Sequence, residues 1–399
     1  MTSSRTSFLL NFMLLAAFSG ATIGMAKIVT TLYALHLGAN SMQVGIISAM
    51  ESLGMIVLTL PAGFVIARYG ARRVYFLASV GPMLLNLAIP LFGHWLWLAV
   101  ARLLIGLCIP FRIVSMNSAF LQQLRHIGSS KAGWYRGALT VGMGLIGPLL
   151  GNWLSSSSSF TVAFVVIGLA FGAMAAYSLG FWSDAPTAPV ADVGQAQATG
   201  MLADIKAMIA NVEIAESCLI ELVGSATASL FGTFIILLAM DVAALNQTQA
   251  VSLVMVQGLA SVTALFTLGY VLQRSGRPFA YIASLSAALC ALLLLGFAHS
   301  YWLLALGGVL LSTGTALIHL VNMTQMSEHS MDKSKISGLF NLASMLGSFS
   351  GAIVGGVLSH YVGLANLFLC WIPVVLVMAV VCRMRAVRRQ AAPVLLSEV

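Results

Sequence analysis

The 399-residue chain is 60% hydrophobic and only 8% charged, with a mean hydropathy of +0.99. A water-soluble core of this length cannot bury so much apolar surface, which sets aside a soluble domain and points to a chain solvated by a bilayer. The net charge of +8 therefore has to be read from its placement before nucleic acid is invoked, and that placement argues against it. Five cysteines, Cys108, Cys218, Cys290, Cys370 and Cys382, lie in apolar runs without CxxC or Cys/His spacing, so neither a disulfide framework nor a metal site is expected.

Crossing the hydrocarbon takes about 20 apolar residues as a helix, because only helices and closed barrels satisfy every backbone group away from water. Twelve runs qualify, at 8–34, 43–66, 74–92, 95–121, 133–154, 160–182, 214–240, 249–272, 279–297, 301–327, 336–358 and 363–382. All are too long and continuous to be barrel strands. The first run follows Arg5 and has small residues near Gly24, as a signal peptide would, but eleven further spans make an uncleaved first helix the expectation. The expected fold class is an all-α membrane protein with two six-helix halves, 1–182 and 214–399, joined by a polar linker at 183–213 that carries Asp184, Pro186, Pro189, Asp192 and Asp204.

Of the 19 lysines and arginines, Lys27, Arg102 and Arg112 fall well inside spans, and the other sixteen fall on one face of the expected bundle. The opposite loops, around His36, His94, Ser155 to Ser159, Asn246, His299 and His360, hold none. The positive-inside rule then places both termini in the cytoplasm and the chain in an inner or plasma membrane as a multi-pass protein.

The halves repeat. "GFVIARYGAR" from Gly63 recurs as "GYVLQRSGR" from Gly269, matching Gly63, Arg68 and Gly70 with Gly269, Arg274 and Gly276. A weaker echo sets "GPLLG" from Gly147 against "GAIVGG" from Gly351. Duplicated halves are a mark of transporters.

Ionisable groups inside a bilayer are costly enough to be functional candidates, each needing a partner or water. Lys27 and Glu51 both fall about 12 Å below the face that lacks basic residues, so they can pair, either to fix two helices or to meet a substrate or gate the path. Arg112 and Glu221 fall roughly 13 and 10 Å above the basic face, in spans of opposite halves. An arginine there is a planar donor suited to a carboxylate or phosphate on the cargo. Glu221 is the leading proton-coupling candidate, with Glu51 second, because burial and a neighbouring cation pull carboxyl protonation in opposite directions.

Span ten carries Ser312, Thr315, His319 and Asn322 on one face, a stripe that suits either helix packing or a cavity. Asn117 sits near the position of Asn322 in the repeat. The substrate-binding set expected is thus Arg112, Lys27, His319, Asn322 and Asn117. Met323 and Met326 beside His319 suggest a soft-metal reading that the abundance of methionine, 20 residues, outweighs. No Walker loop, hydrolytic triad or redox-cofactor site is present, so the chain is read as no enzyme, with no cofactor and no ATP requirement.

At this point the sequence resembles the major facilitator superfamily, in its drug/proton-antiporter-like branch, over nearly the whole chain. The first signature of that family, G-x-x-x-D-R-x-G-R-R/K, matches Gly63, Arg68, Gly70 and Arg72 or Arg73, and again Gly269, Arg274, Gly276 and Arg277. The resemblance implies a conformational latch on the cytoplasmic side, though Ala67 and Gln273 replace the family's aspartate. It implies a basic fourth-span residue at Arg102, and an antiporter-like fifth-span run through Gly147, Pro148 and Gly151, with Met143 where the family has a further glycine. In the family, spans one, four, seven and ten line a central cavity.

The function expected is alternating-access secondary transport, in the form of proton-coupled export of a small amphipathic or carboxylated organic compound. Alternatives are an importer of an organic anion and a non-transporting receptor on the same fold. Expected partners are the small-molecule cargo, protons and the lipid bilayer, with no nucleic acid, and the expected state is a monomer.

Overall fold

The structure, a computed structural model, describes residues 2–127, 134–181, 206, 208–297, 300–328 and 333–396. The expected linker at 183–213 lies largely outside the described residues. All regular structure among them is helical. Spans one to four are α1 (Thr2–His36), α2 (Ser41–Tyr69), α3 (Ala71–Ala88) and α4 (Trp95–Ile127). Span five is α5 (Trp134–Val141) and α6 (Gly147–Ser157), joined by a π-helical turn, and span six is α7 (Phe160–Phe181). In the second half α8 (Val212–Leu237) is span seven, and α9 (Gln247–Phe297) carries spans eight and nine. Spans ten to twelve are α10 (Tyr301–Glu328), α11 (Lys333–Val362) and α12 (Leu364–Leu396). Twelve of these segments are long and apolar enough to cross a membrane, as the composition requires.

Local chemistry explains where helices begin and end. Asn40 caps α2 reciprocally with Gln43, its side chain accepting from the Gln43 backbone while the Gln43 side chain accepts from the Asn40 backbone, at 2.9 Å each. Gly70, at φ +83°, separates α2 from α3 in a backbone conformation that side chains disfavour. Span five differs from the uniform helix its hydropathy suggests: Gly142–Ile146 is a π turn, a local insertion frequently found at functional sites.

The junction of spans eight and nine also differs, since helical backbone continues through 269–277. The path nevertheless reverses there. Ser252 donates to Tyr301 Oη at 3.0 Å, while Gly307, six residues into α10, lies against Leu295. A straight helix would hold residues 252 and 295 about 64 Å apart, so both can meet the first turns of α10 only if α9 folds back between its two spans.

Among the described residues, the contacts between the first and second sets of six spans lie mainly toward the face without basic residues, here called the neutral face. There Ser48 and Thr233 share a hydrogen bond of 2.9 Å, and Gly45 fits closely against Ala352 and Gly356. At the same face the Gln247 amide donates to Asn152 Oδ1 and to Ser155 Oγ, at 3.1 Å each, and Asn152 donates to Thr248 at 3.3 Å. The neutral-face parts of α1 and α8 are correspondingly sealed, with Val29, Ala34, Phe231, Phe234 and Ile235 wholly buried. Trp153, Trp302 and Tyr361 stand exposed at that level, as interfacial aromatics do.

Candidate functional site

The paired and enclosed ionisable groups within the spans form three sites, and neither expected pairing is found among them. Glu51 on α2 forms its ion pair with Arg102 on α4. The two helices approach closely because both present glycine at the crossing: a side chain at Gly106 would strike the Glu51 backbone, and one at Gly54 would strike Leu103 and Leu107. The pair is enclosed, Arg102 being buried and Glu51 about one-fifth exposed. Matching Glu51 with Lys27 is therefore corrected. Lys27 is exposed, and its Nζ lies beside α8, where a methyl group at Gly232 would sit 3.3 Å from it. The signal for the true partner was in the sequence, since Arg102 lies seven residues inside its span, about 10 Å deep, close to the level of Glu51.

Arg112 does not face Glu221, and that expected pairing is likewise corrected. It is buried inside the first half, where it donates to Ser79 of α3 at 3.0 Å, to Ser19 of α1 at 3.4 Å and to Tyr75 Oη at 3.3 Å. Its guanidinium lies 4.5 Å from the Phe171 ring centroid and 5.3 Å from that of Tyr75, with Met174 Sδ at 3.3 Å. Among the described residues all of its partners are uncharged, so hydroxyls and aromatic faces replace its hydration. In this conformation it bolts α1, α3, α4 and α7 together and presents no surface to a cargo.

Glu221 is paired instead with His319, whose Nδ1 lies 3.1 and 3.2 Å from the two carboxylate oxygens and joins α10 to α8. Ser225 donates to the same carboxylate at 3.4 Å and shares a 2.7 Å hydrogen bond with Ser344 of α11. The imidazole rests on Phe340, 5.6 Å between ring centroids. One turn on, Asn322 donates to the Ser217 carbonyl at 3.5 Å, and Tyr281 of α9 donates to Asn322 and Gln325 at 3.3 and 3.0 Å. The span-ten stripe thus divides: His319 and Asn322 meet α8, while Thr315 bonds back to its own helix and the buried Ser312 hydroxyl has no partner among the described residues. The side chain of Asn117 lies outside the described residues.

Gly147 and Gly151 pack α6 against α1, where side chains would meet Ala21, Gly24 and Met25, and Pro148 stands in the first turn of α6, directly after the π turn. Sequence reasoning missed Gly144 of the π turn, which meets Gly258 of α9 across the two halves. In the first-signature loop Arg68 lies over the Tyr69 ring at 5.5 Å, and Arg68 and Arg73 are exposed, Arg72 partly so. In the second copy Arg274 is exposed and Arg277 is partly buried, while the surroundings of Gly63, Gly269 and Gly276 lie outside the described residues.

The sequence profile described as "Major Facilitator Superfamily" matches residues 12–251 and, in a second alignment, residues 217–397. The chain belongs to the Major Facilitator Superfamily. It is accordingly a multi-pass membrane transporter and no enzyme. Two overlapping matches fit the repeat seen at Gly63 and Gly269. Among solved structures, the nucleoside transporter NupG matches at a TM-score of 0.78 and 14% identity, over 94% of this chain and 98% of that one. A bacterial homologue of the human lysosomal transporter Spinster, inward-facing and occupied, matches at 0.74 and 13% identity, over 96% and 97%. At such identities these matches establish a shared superfamily fold and leave the cargo of this member to its own residues. No curated protein sequence matches the chain.

Proposed function

We propose that this superfamily member is a proton-coupled secondary transporter that exports a small organic compound, amphipathic or carboxylated, by alternating access. The carrying observation is the Glu221 and His319 pair, two groups able to exchange one proton at the contact of α8 and α10. Such a pair breaks and re-forms when the two helices shift, which ties protonation to conformation. Lys27 is the cargo-facing cation of this reading: it is exposed, reaches the other half at Gly232, and leaves Glu51 to Arg102. Its ammonium suits a carboxylate or phosphate on the cargo.

The basic face is the cytoplasmic one, with both termini on that side of an inner or plasma membrane. The seal at the neutral face then makes the described conformation inward-facing. Export is favoured by the fifth-span run, where Gly144 and Gly258 bring the halves into contact at the π turn. Import of an organic anion is the second reading, favoured by Lys27. The protein works as a monomer in lipid.

The test is purified protein in liposomes carrying an internal pH-sensitive dye, challenged with organic anions, cations and neutral amphiphiles. Proton flux opposite to a carboxylated compound supports exchange. Proton flux in the same direction assigns the importer, and binding without flux under any gradient refutes transport.

A further inference from the structure

A concavity whose lining does not include the ion-paired side chains lies wholly within the second half. It has a volume of about 660 Å³ and is bounded by α8, span nine of α9, α10 and α12. That volume falls in the range of small-molecule sites, roughly 300–1,000 Å³. Its walls are aliphatic, with Val223, Ile318, Leu285 and Val375 among them. On α8 it extends from Glu216 to Thr227, eleven residues and therefore about 16 Å along the helix. The shape is a slot parallel to the membrane spans.

The rim faces outward between α9 and α12, where Ile282 and Val380 line the opening and are 66% and 55% exposed. At hydrocarbon depth such an opening meets lipid chains. The basic end of the slot is lined by two charged groups from opposite walls, Arg277 of α9 and Glu216 of α8. Both make further contacts, but a guanidinium has five N–H donors and a carboxylate about four acceptor sites, so each can also serve a head group. Part of the internal space exists because position 224 is glycine: a Cβ there would meet only Ile318, at 3.9 Å.

We infer that this slot holds one acyl chain of a membrane phospholipid with a zwitterionic amine head, its phosphate on Arg277 and its ammonium on Glu216. The site is connected to the ionisable centre. Tyr281 lines the slot and donates to Asn322, which reaches the Ser217 carbonyl one turn before Glu221. Lipid occupancy thereby bears on the contact of α8 with α10 without touching the carboxylate itself.

The experiment is native mass spectrometry of the full-length protein, titrated in detergent with phosphatidylethanolamine, phosphatidylcholine and phosphatidylglycerol of identical chains. One phosphatidylethanolamine should be retained several-fold more persistently than either of the others. Gly224→Phe, which fills the slot, should abolish that retention, while Gly224→Ala should keep it, and Arg277→Gln should weaken it several-fold. Retention unchanged in a Gly224→Phe protein that melts like the parent would overturn the site. Equal retention of the three lipids would overturn the head-group assignment. If Gly224→Phe does not fold, Arg277→Gln and Glu216→Gln decide, and unchanged retention in both refutes the proposal.

Discussion

His319 Nδ1 stands 3.1 Å from the Glu221 carboxylate, across the contact of α10 with α8. The carboxylate is almost buried and the imidazole about one-quarter exposed, so a proton reaching this pair comes by way of the histidine. Glu221→Gln retains the size and hydrogen-bonding capacity of the side chain but cannot ionise. We expect it to abolish proton-linked flux while changing cargo affinity less than about threefold, which is under 1 kcal/mol. Dye-reported flux and a thermal-shift titration measure the two separately, and undiminished proton flux in this variant would remove Glu221 from the mechanism.

The Arg102 and Glu51 pair makes a different prediction. Removing one partner of a buried ion pair costs about 3–5 kcal/mol because the other charge is stranded, whereas replacing both by apolar groups is often close to neutral. Arg102→Met should therefore lower the melting temperature sharply, and adding Glu51→Leu should restore much of the loss. Equal melting temperatures for the single and double variants would show that the pair is not energetically coupled.

Gly144 and Gly258 bring span five and span eight into backbone contact across the halves. A valine at Gly258 would collide with the Gly144 backbone, so Gly258→Val should push the halves apart at this level. Spin labels across the neutral face should report a longer and broader distance distribution. Gly338→Ala, where nothing lies within 4 Å, is the control and should leave the distribution unchanged.

Arg112 is held by hydroxyls and two aromatic rings in its own half, which implies stability more than cargo recognition. Arg112→Lys keeps the charge but loses the planar fork that reaches Ser79, Ser19 and Tyr75 together. The expected cost is about 2 kcal/mol, the magnitude of a desolvated cation–π contact. It should appear in the melting temperature, with the transport KM little changed. A tenfold rise in KM at unaltered stability would return Arg112 to the cargo site.

Much of this molecule is one-dimensional information. A bilayer asks each segment for about 20 apolar residues, and that demand can be read off a sequence, which is why the twelve spans and the turn at Gly70 were legible. Depth is one-dimensional too, and counting residues from the span ends sets Glu51 and Lys27 at one level. It also held the correct partner, Arg102, at nearly the same level.

What depth lacks is the direction a side chain takes around its helix and the identity of the helix it meets. Those depend on close packing, where glycine decides which backbones can touch. Gly54 and Gly106 press α2 onto α4 and give Glu51 to Arg102, while the seam at Gly20, Gly24, Gly142 and Gly147 draws α1 onto span five. Arg112 sits between α1, α3 and α7 for the same reason, leaving Glu221 to the histidine that α10 presents. The sequence by itself determined which groups enter the membrane and how deep, because hydrophobic length is a property of the chain. Their partners were decided only by the tertiary structure, because pairing in a low-dielectric interior follows which helix faces pack together.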